Sequence, residues 1–144
     1  MKLERTPLRR RVGGFTLLEL MITVAIVAIL AGIAYPSYVN SITKSKRRAA
    51  EACLSNFATY MERYYTTNLS YVNATLPALD CASAANTGQN YTYGFAGAVT
   101  VSTYTLQATP TGAQASNDSA CGGLTLDQTS GRGVLGSSTV AECW

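Results

Sequence analysis

The sequence of 144 residues contains no histidine, and only 13% of its side chains are charged. Without histidine the chain has no Ser-His-Asp triad, no histidine-ligated zinc and no histidine acid or base of its own. Its apolar content of 47% is too high for a disordered, charged tail. We therefore expect one small structural or interaction domain with no enzyme activity, no cofactor and no metal site.

The few charged residues are unevenly placed. Residues 1–14 carry five basic side chains and one acidic side chain, whereas the rest of the chain carries six basic and seven acidic ones. The formal charge of +3 therefore originates in the first fourteen residues. A basic stretch directly before an apolar segment orients a membrane helix with its N-terminus in the cytoplasm.

The longest apolar stretch covers residues 15–35 and contains one charged side chain, that of Glu19. Twenty-one residues of helix rise about 31 Å, which is enough to cross a bilayer. We predict a single-pass membrane helix. One alternative is a buried core helix, which so small a domain has little room to cover. The other is a secretory signal peptide, whose removal would leave a mature chain starting at Tyr35 instead of Phe15.

The start of the apolar segment carries a family resemblance. The sequence RRRVGG at 9–14, followed by FTLLELM at 15–21, resembles the prepilin signature of type IV pilins. The resemblance implies that a prepilin peptidase cuts after Gly14 and methylates the new N-terminal Phe15. It also implies that Glu19 supports docking of subunits into a filament. The implied partners are the peptidase, other pilin subunits and an inner-membrane assembly platform.

Gly32 and Pro36 lie near the end of the apolar segment. Because proline has no N–H, Pro36 cannot donate to the carbonyl of Gly32, and glycine is itself a poor helix former. The pair predicts a kink or a locally meltable stretch. Such a stretch is either a simple bend at the membrane exit or a flexible point that lets the helix extend when it is packed or pulled.

The basic cluster at 44–48, KSKRR, is interpreted as the far membrane interface or a solvated helix face. It is also suited to pairing with acidic groups on neighbouring subunits. Beyond it only Arg63 and Arg132 are basic. Phosphate contacts need several basic side chains on one face, so we expect no direct contact with nucleic acid.

Periodicity predicts an α+β fold for the remainder. Helical spacing continues through Ala50, Cys53, Leu54, Phe57, Met61 and Tyr64, which predicts one helix over about 15–65, interrupted near Pro36. Its second half is amphipathic. Strand-like runs at 91–95, 99–109, 124–127 and 134–135 predict a three- or four-stranded antiparallel sheet on which this helix packs.

Four cysteines occur, at 53, 81, 121 and 143. Since the domain is expected outside the cytoplasm, they are expected to form disulfides, and three pairings are possible. We favour Cys53–Cys81, which would tie the helix to the following loop, and Cys121–Cys143, which would close a C-terminal segment. That segment is the expected subunit or surface contact.

The head also resembles PilE-type minor pilins, which in turn resemble the DNA-uptake pilin ComP. The matching segments are 62–68, 104–110, 123–131 and the terminal Cys143-Trp144. The resemblance implies a type IV pilin fold, with a leader peptide at 1–14, a transmembrane and assembly helix at 15–48 and a globular head at 49–144.

The implied location is the bacterial inner membrane before assembly and the pilus, outside the cell, after it. The implied role is pilus assembly, adhesion or twitching motility. Two alternatives stay open: a pseudopilin of a type II secretion system, and a competence pilin that binds DNA directly.

Overall fold

Residues 14–144 are described by a computed structural model. The elements in chain order are α1 (Leu17–Asn68), a 3₁₀ turn (Asp80–Ala82), β1 (Tyr91–Phe95), β2 (Thr105–Pro110), α2 (Gly112–Asn117), β3 (Leu124–Asp127), β4 (Arg132–Val134) and α3 (Val140–Cys143). The single long helix followed by short strands agrees with the predicted order of elements.

The chain divides into two compact units. The first ends at Ser37, and the second, Tyr38–Trp144, is called the head below. Helix α1 contributes residues to both units. Thr43 and Arg47 are already buried within the head. The functional boundary expected at residue 48 stays a prediction.

The head contains a four-stranded antiparallel sheet in the order β1-β2-β3-β4. The register places Leu106 of β2 between Phe95 of β1 and Leu126 of β3. Because successive side chains point to opposite faces of a sheet, Leu106 and Ala108 are buried while Gln107 between them is partly exposed. The predicted antiparallel meander is confirmed.

The second half of α1 forms one wall of the hydrophobic core. Its buried apolar residues recur at three- and four-residue steps: Ala50, Cys53, Leu54, Phe57 and Met61. They share one core with the inward side chains of the sheet. The ring of Phe57, for example, lies 5.4 Å from that of Tyr93 on β1. The predicted amphipathic stripe is confirmed, with Tyr64 partly buried beside it.

Strand β2 begins later than the sequence predicts. Residues 99–103 form a turn, in which the Thr100 N–H donates to the Thr103 carbonyl at 2.9 Å. The hydroxyls of the same two threonines lie 2.7 Å apart. Threonine hydroxyls that bond to nearby groups compete with strand pairing, so β-branched residues there do not extend the strand.

The short helices α2 and α3 are not predicted, because six and four residues are too few to show helical periodicity. Helix α3 nevertheless carries a local signal in the spacing of Thr139 and Glu142. The Glu142 carboxylate accepts the Thr139 N–H at 3.1 Å, and the two residues form a capping box. A Thr-x-x-Glu pattern is a recognised helix start, and it could have identified α3.

Candidate functional site

Two of the predicted site residues lie just before α1, in exposed, non-helical chain. Gly14 and Phe15 precede the helix, and Phe15 is 83% exposed. The Thr16 hydroxyl accepts the Glu19 N–H at 3.2 Å, as an N-terminal cap does. The peptide bond between Gly14 and Phe15 therefore lies outside the helix. The rest of the predicted leader, residues 1–13, lies outside the described residues.

Glu19 lies in the first turn of α1, where its side chain is exposed. Partial positive charge accumulates at the N-terminus of a helix, so a carboxylate in the first turn is stabilised there. This local effect offsets part of the cost of a charge in an apolar segment. It does not provide a counter-charge, and a carboxylate without one is costly in a membrane.

The apolar part of α1 is exposed on all sides within its own unit. The helix is long and apolar enough to cross a membrane, and no residue of its most apolar stretch is buried. The exposed large side chains include Leu17, Leu18, Leu20, Met21, Ile22, Val24, Ile26, Val27, Ile29, Leu30 and Ile33. A helix that is apolar all round requires lipid or other apolar helices as neighbours.

Helix α1 continues through Pro36 without a break. The predicted interruption is therefore absent as a change of secondary structure, because the hydrogen bonds on either side hold the helix across one missing donor. Gly32 has open space where a side chain would begin, so packing does not require glycine there. Flexibility of this stretch stays a prediction.

Two disulfides join distant parts of the head. Cys53 on α1 is bonded to Cys81 in the 3₁₀ turn, and Cys121 before β3 is bonded to Cys143 in α3. These are the favoured pairs. Each bond holds a largely irregular segment, so the short sheet does not have to hold these segments by packing alone.

Arg47 is buried in the head. Its guanidinium forms an ion pair with Asp118 at 2.5 Å, and the two side chains are only 8% and 6% exposed. Its Nε donates to the carbonyl oxygen of Cys143 at 2.9 Å. The interpretation of residues 44–48 as a solvated cluster is therefore wrong for Arg47. Helix geometry turns this residue toward the head, while Lys44 and Arg48 stay exposed.

Gln114 of α2 extends the buried polar network around Arg47. Its Nε2 lies 3.1 Å from the Thr43 carbonyl oxygen, 3.0 Å from the Tyr91 hydroxyl and 3.1 Å from Asp118 Oδ2. Burial raises the pKa of the Tyr91 hydroxyl above its usual range. Because these buried polar groups bond to one another, the network stabilises one arrangement of α1, α2 and the C-terminus.

A second polar cluster surrounds Glu62 near the end of α1. Its Oε1 accepts the hydroxyls of Tyr71 at 3.0 Å and Tyr104 at 3.2 Å. The two tyrosine rings meet edge to face at 4.7 Å. Burial, together with the Glu62 carboxylate, raises the pKa of Tyr71 to about 12. No sequence pattern could pair Glu62 with Tyr104, because 42 residues separate them.

The C-terminal Trp144 is fixed against β4. Its indole N–H donates to the Gly133 carbonyl at 3.0 Å, and the Arg132 guanidinium lies 5.0 Å from the centre of its ring.

Two further observations concern acidic and metal-binding groups. Burial raises the pKa of the Glu51 carboxyl, although the positive charges of Arg47 and Arg48 oppose the shift. Between residues 14 and 144, histidine, cysteine and carboxylate side chains form no group of three that could hold a metal ion.

Two family models match the sequence in adjacent segments. The model described as "Type IV minor pilin ComP, DNA uptake sequence receptor" matches residues 36–125. The model described as "Prokaryotic N-terminal methylation motif" matches residues 9–35. The boundary between the two matches lies within two residues of Ser37, where the first structural unit ends.

One sequence relative and two solved structures agree with these matches. The type IV major pilin protein PilA of Myxococcus xanthus is 39% identical over 66 residues, which are 46% of this chain and 29% of the relative's length. A type IV pilin structure from Shewanella oneidensis matches with a TM-score of 0.52 and 24% identity, over 71% of this chain and 97% of that chain. The Neisseria meningitidis non-core minor pilin PilV matches with a TM-score of 0.53 and 19% identity, over 72% and 95%.

Proposed function

We propose that this chain, which belongs to the type IV minor pilin family described by the ComP model, is a minor-pilin precursor that is cut after Gly14 and built into a pilus. One observation carries the proposal. A single helix, α1, presents an uncovered apolar surface in its first half and forms a wall of the head's core in its second half. Such a helix suits a subunit that is first anchored in a membrane and later packs against other pilin subunits.

Processing after Gly14 is supported by the local backbone. The bond to Phe15 precedes the helix in exposed, non-helical chain, where a prepilin peptidase would have access to it. The matched N-terminal methylation motif spans this bond. Cleavage removes the basic leader and creates a new α-amine at Phe15, which the same peptidase would methylate.

Docking through Glu19 follows from the chemistry of an isolated carboxylate in an apolar helix. After cleavage, the α-amine of Phe15 lies about one helical turn before Glu19 in each subunit. In a bundle of such helices, the amine of one copy is a suitable counter-charge for Glu19 of another, and pairing offsets the cost of both charges in lipid. We propose that this ion pair sets the axial position of an incoming subunit.

The location follows from the orientation of the helix. The leader would hold the N-terminus in the cytoplasm, so the disulfide-bonded head would lie outside the inner membrane until the assembly platform moves the subunit into the pilus. The segment between Cys121 and Cys143 exposes Leu135 and Val140. It is the proposed outer contact, through which the subunit would serve adhesion or twitching motility.

The test compares three variants in cells that make pili. Gly14→Val should leave the precursor uncut and retained in the membrane. Glu19→Ala should be cut normally but be depleted from sheared pili by tenfold or more, since each 1.4 kcal/mol of lost pairing changes an equilibrium about tenfold. The matched control is Thr23→Ala, on the same exposed helix, which should enter pili normally. Incorporation of Glu19→Ala at the level of the control would contradict the docking role.

The second candidate function is DNA uptake, because the description of the matched family includes a DNA receptor. The placement of charge favours at most weak contact. Arg47 is held by Asp118, and Arg132 lies against Trp144. Gel shifts of the full chain in detergent, with duplex DNA at two salt concentrations, test this. Tight, salt-sensitive binding that falls in Arg63→Ala would make DNA uptake the better assignment.

The pseudopilin alternative is tested by location and phenotype. A minor pilin should be recovered from sheared pili, and its deletion should leave protein secretion intact. Loss of type II secretion on deletion, with no recovery from pili, would identify a pseudopilin.

A further inference from the structure

The Arg47 network holds α1 at two points one helical turn apart. Arg47 binds Asp118, three residues before Cys121, and the carbonyl of Cys143, so its two partners flank the segment closed by the Cys121–Cys143 disulfide. One turn earlier, the Thr43 carbonyl accepts the Gln114 amide. The C-terminal half of the head thus binds the first buried turn of α1. The contacts of Thr43 and Arg47 with Gln114, Asp118 and Cys143 are called the α1 clamp below.

The helix before the α1 clamp lacks comparable support. Pro36 leaves the Gly32 carbonyl without a helical donor, and both Tyr35 and Tyr38 are largely exposed. Between Pro36 and Thr43, only Val39 and Ile42 are even partly buried. Unwinding of this stretch would break local hydrogen bonds, whose loss is partly compensated by bonds to water, and would expose little buried surface.

Unwinding past Thr43 has a different cost. It would withdraw the Arg47 guanidinium from three acceptors, the Asp118 carboxylate and the carbonyls of Cys143 and Glu142. The carboxylate would then be left buried without its counter-ion. Breaking one side of a buried ion pair is far more costly than breaking an exposed helical turn. The resistance of α1 to unwinding should therefore rise sharply at residues 43–47.

We propose that the α1 clamp fixes the point at which unwinding of α1 from the Gly32–Pro36 side stops. The segment before Thr43 then acts as an extensible link, and the helix from Thr43 onward stays folded on the sheet. The inference rests on the proposed function only for the source of the load, which is subunit packing or tension along a pilus. Arg47, Gln114 and Asp118 are positioning residues in this arrangement.

Amide hydrogen exchange of the full chain in detergent micelles tests the clamp without any pilus. In the unaltered chain, amides 47–50 should exchange at least about tenfold more slowly than amides 37–42. Asp118→Asn and Gln114→Met should each accelerate exchange at 44–50 by about tenfold or more, while amides 53–61 keep their protection. The matched control is Arg48→Met, an exposed neighbour on the same helix turn, which should leave the profile unchanged.

Three results would overturn the proposal. One is a flat exchange profile across residues 37–50 in the unaltered chain. The second is exchange at 44–50 that is unchanged in both Asp118→Asn and Gln114→Met. The third is loss of protection throughout the head in both variants, which would make the network part of the general core. None of these results bears on processing or on Glu19, so failure of the clamp is distinguishable from failure of the proposed function.

Discussion

Removing the C-terminal disulfide is expected to lower the free energy of unfolding of the head by about 3 kcal/mol. The perturbation is the paired change Cys121→Ala and Cys143→Ala. The bond spans a sequence separation of 22 residues. In the chain-entropy description, a loop of this length restricts the unfolded chain by roughly that free energy. Both cysteines are buried, so alanine leaves small voids that add to the loss.

For a domain of about 100 residues, a loss of 3 kcal/mol corresponds to a drop of about 15 °C in the melting midpoint. Near-ultraviolet circular dichroism of the full chain in detergent is the appropriate assay. Its signal comes mainly from Trp144 and from the tyrosines, seven of which lie between residues 60 and 104 in the head. The apolar part of α1 contributes little to it. Reduction of the unaltered protein opens both disulfides, so it should lower the midpoint further than the paired substitution does.

The comparison with the other disulfide makes the test specific. Cys53→Ala with Cys81→Ala opens a loop with a separation of 28 residues, so its entropic loss should be similar. Only the C-terminal pair should also accelerate amide exchange around Arg47, because Arg47 binds the Cys143 carbonyl. A midpoint within about 3 °C of the unaltered protein would refute the reasoning, since the segment would then be held without the bond.

Three further predictions concern single side chains. Burial raises the pKa of Tyr71 to about 12 and that of Tyr104 further. The buried hydroxyls of Tyr71 and Tyr104 therefore contribute their full stabilisation below pH 10.0, the ordinary pKa of tyrosine. This stabilisation is lost as pH rises through the raised pKa values of the folded protein, as ultraviolet titration would show. Gly136→Ala would drive a methyl group into the Ala120 carbonyl and should cost about 1–3 kcal/mol on thermal denaturation, whereas Gly94→Ala enters open space and should be tolerated. Hydrogen bonds from Thr129 and Gly131 lower the pKa of Asp127, so the loss of melting temperature in Asp127→Ala should shrink as pH falls through that lowered pKa.

The parts of the fold that follow from sequence are those with a repeating pattern. The buried stripe from Ala50 to Met61 repeats at helical spacing over three turns, and strand β1 alternates in polarity. Such patterns depend only on which face a side chain occupies, so they need no knowledge of partners. The long helix, the α+β class and most of the antiparallel sheet could be predicted for this reason, although β4 covers Arg132–Val134 and not the predicted run at 134–135.

The polar clusters could not be predicted, because each pairs residues that are distant along the chain. Arg47 and Asp118 are 71 positions apart, and Glu62 and Tyr104 are 42 positions apart. Asp118 also follows α2, a helix too short to be recognised. Its placement depends on how the sheet and the Cys121–Cys143 bond arrange the chain, and no local pattern contains that information.

One signal for the α1 clamp is nevertheless present in the helix itself. Counting back from Leu54 in steps of four, three and four gives Ala50, Arg47 and Thr43, which lie on the same inward face. Toward the N-terminus, the buried residues of this stripe change from apolar to polar at Arg47, although they stay on the same face of the helix. A basic residue on an inward stripe requires buried acceptors, whereas its neighbour Arg48, one step around the helix, requires none. The spacing, rather than the charge, therefore identifies Arg47 as the member of the basic cluster that binds the head.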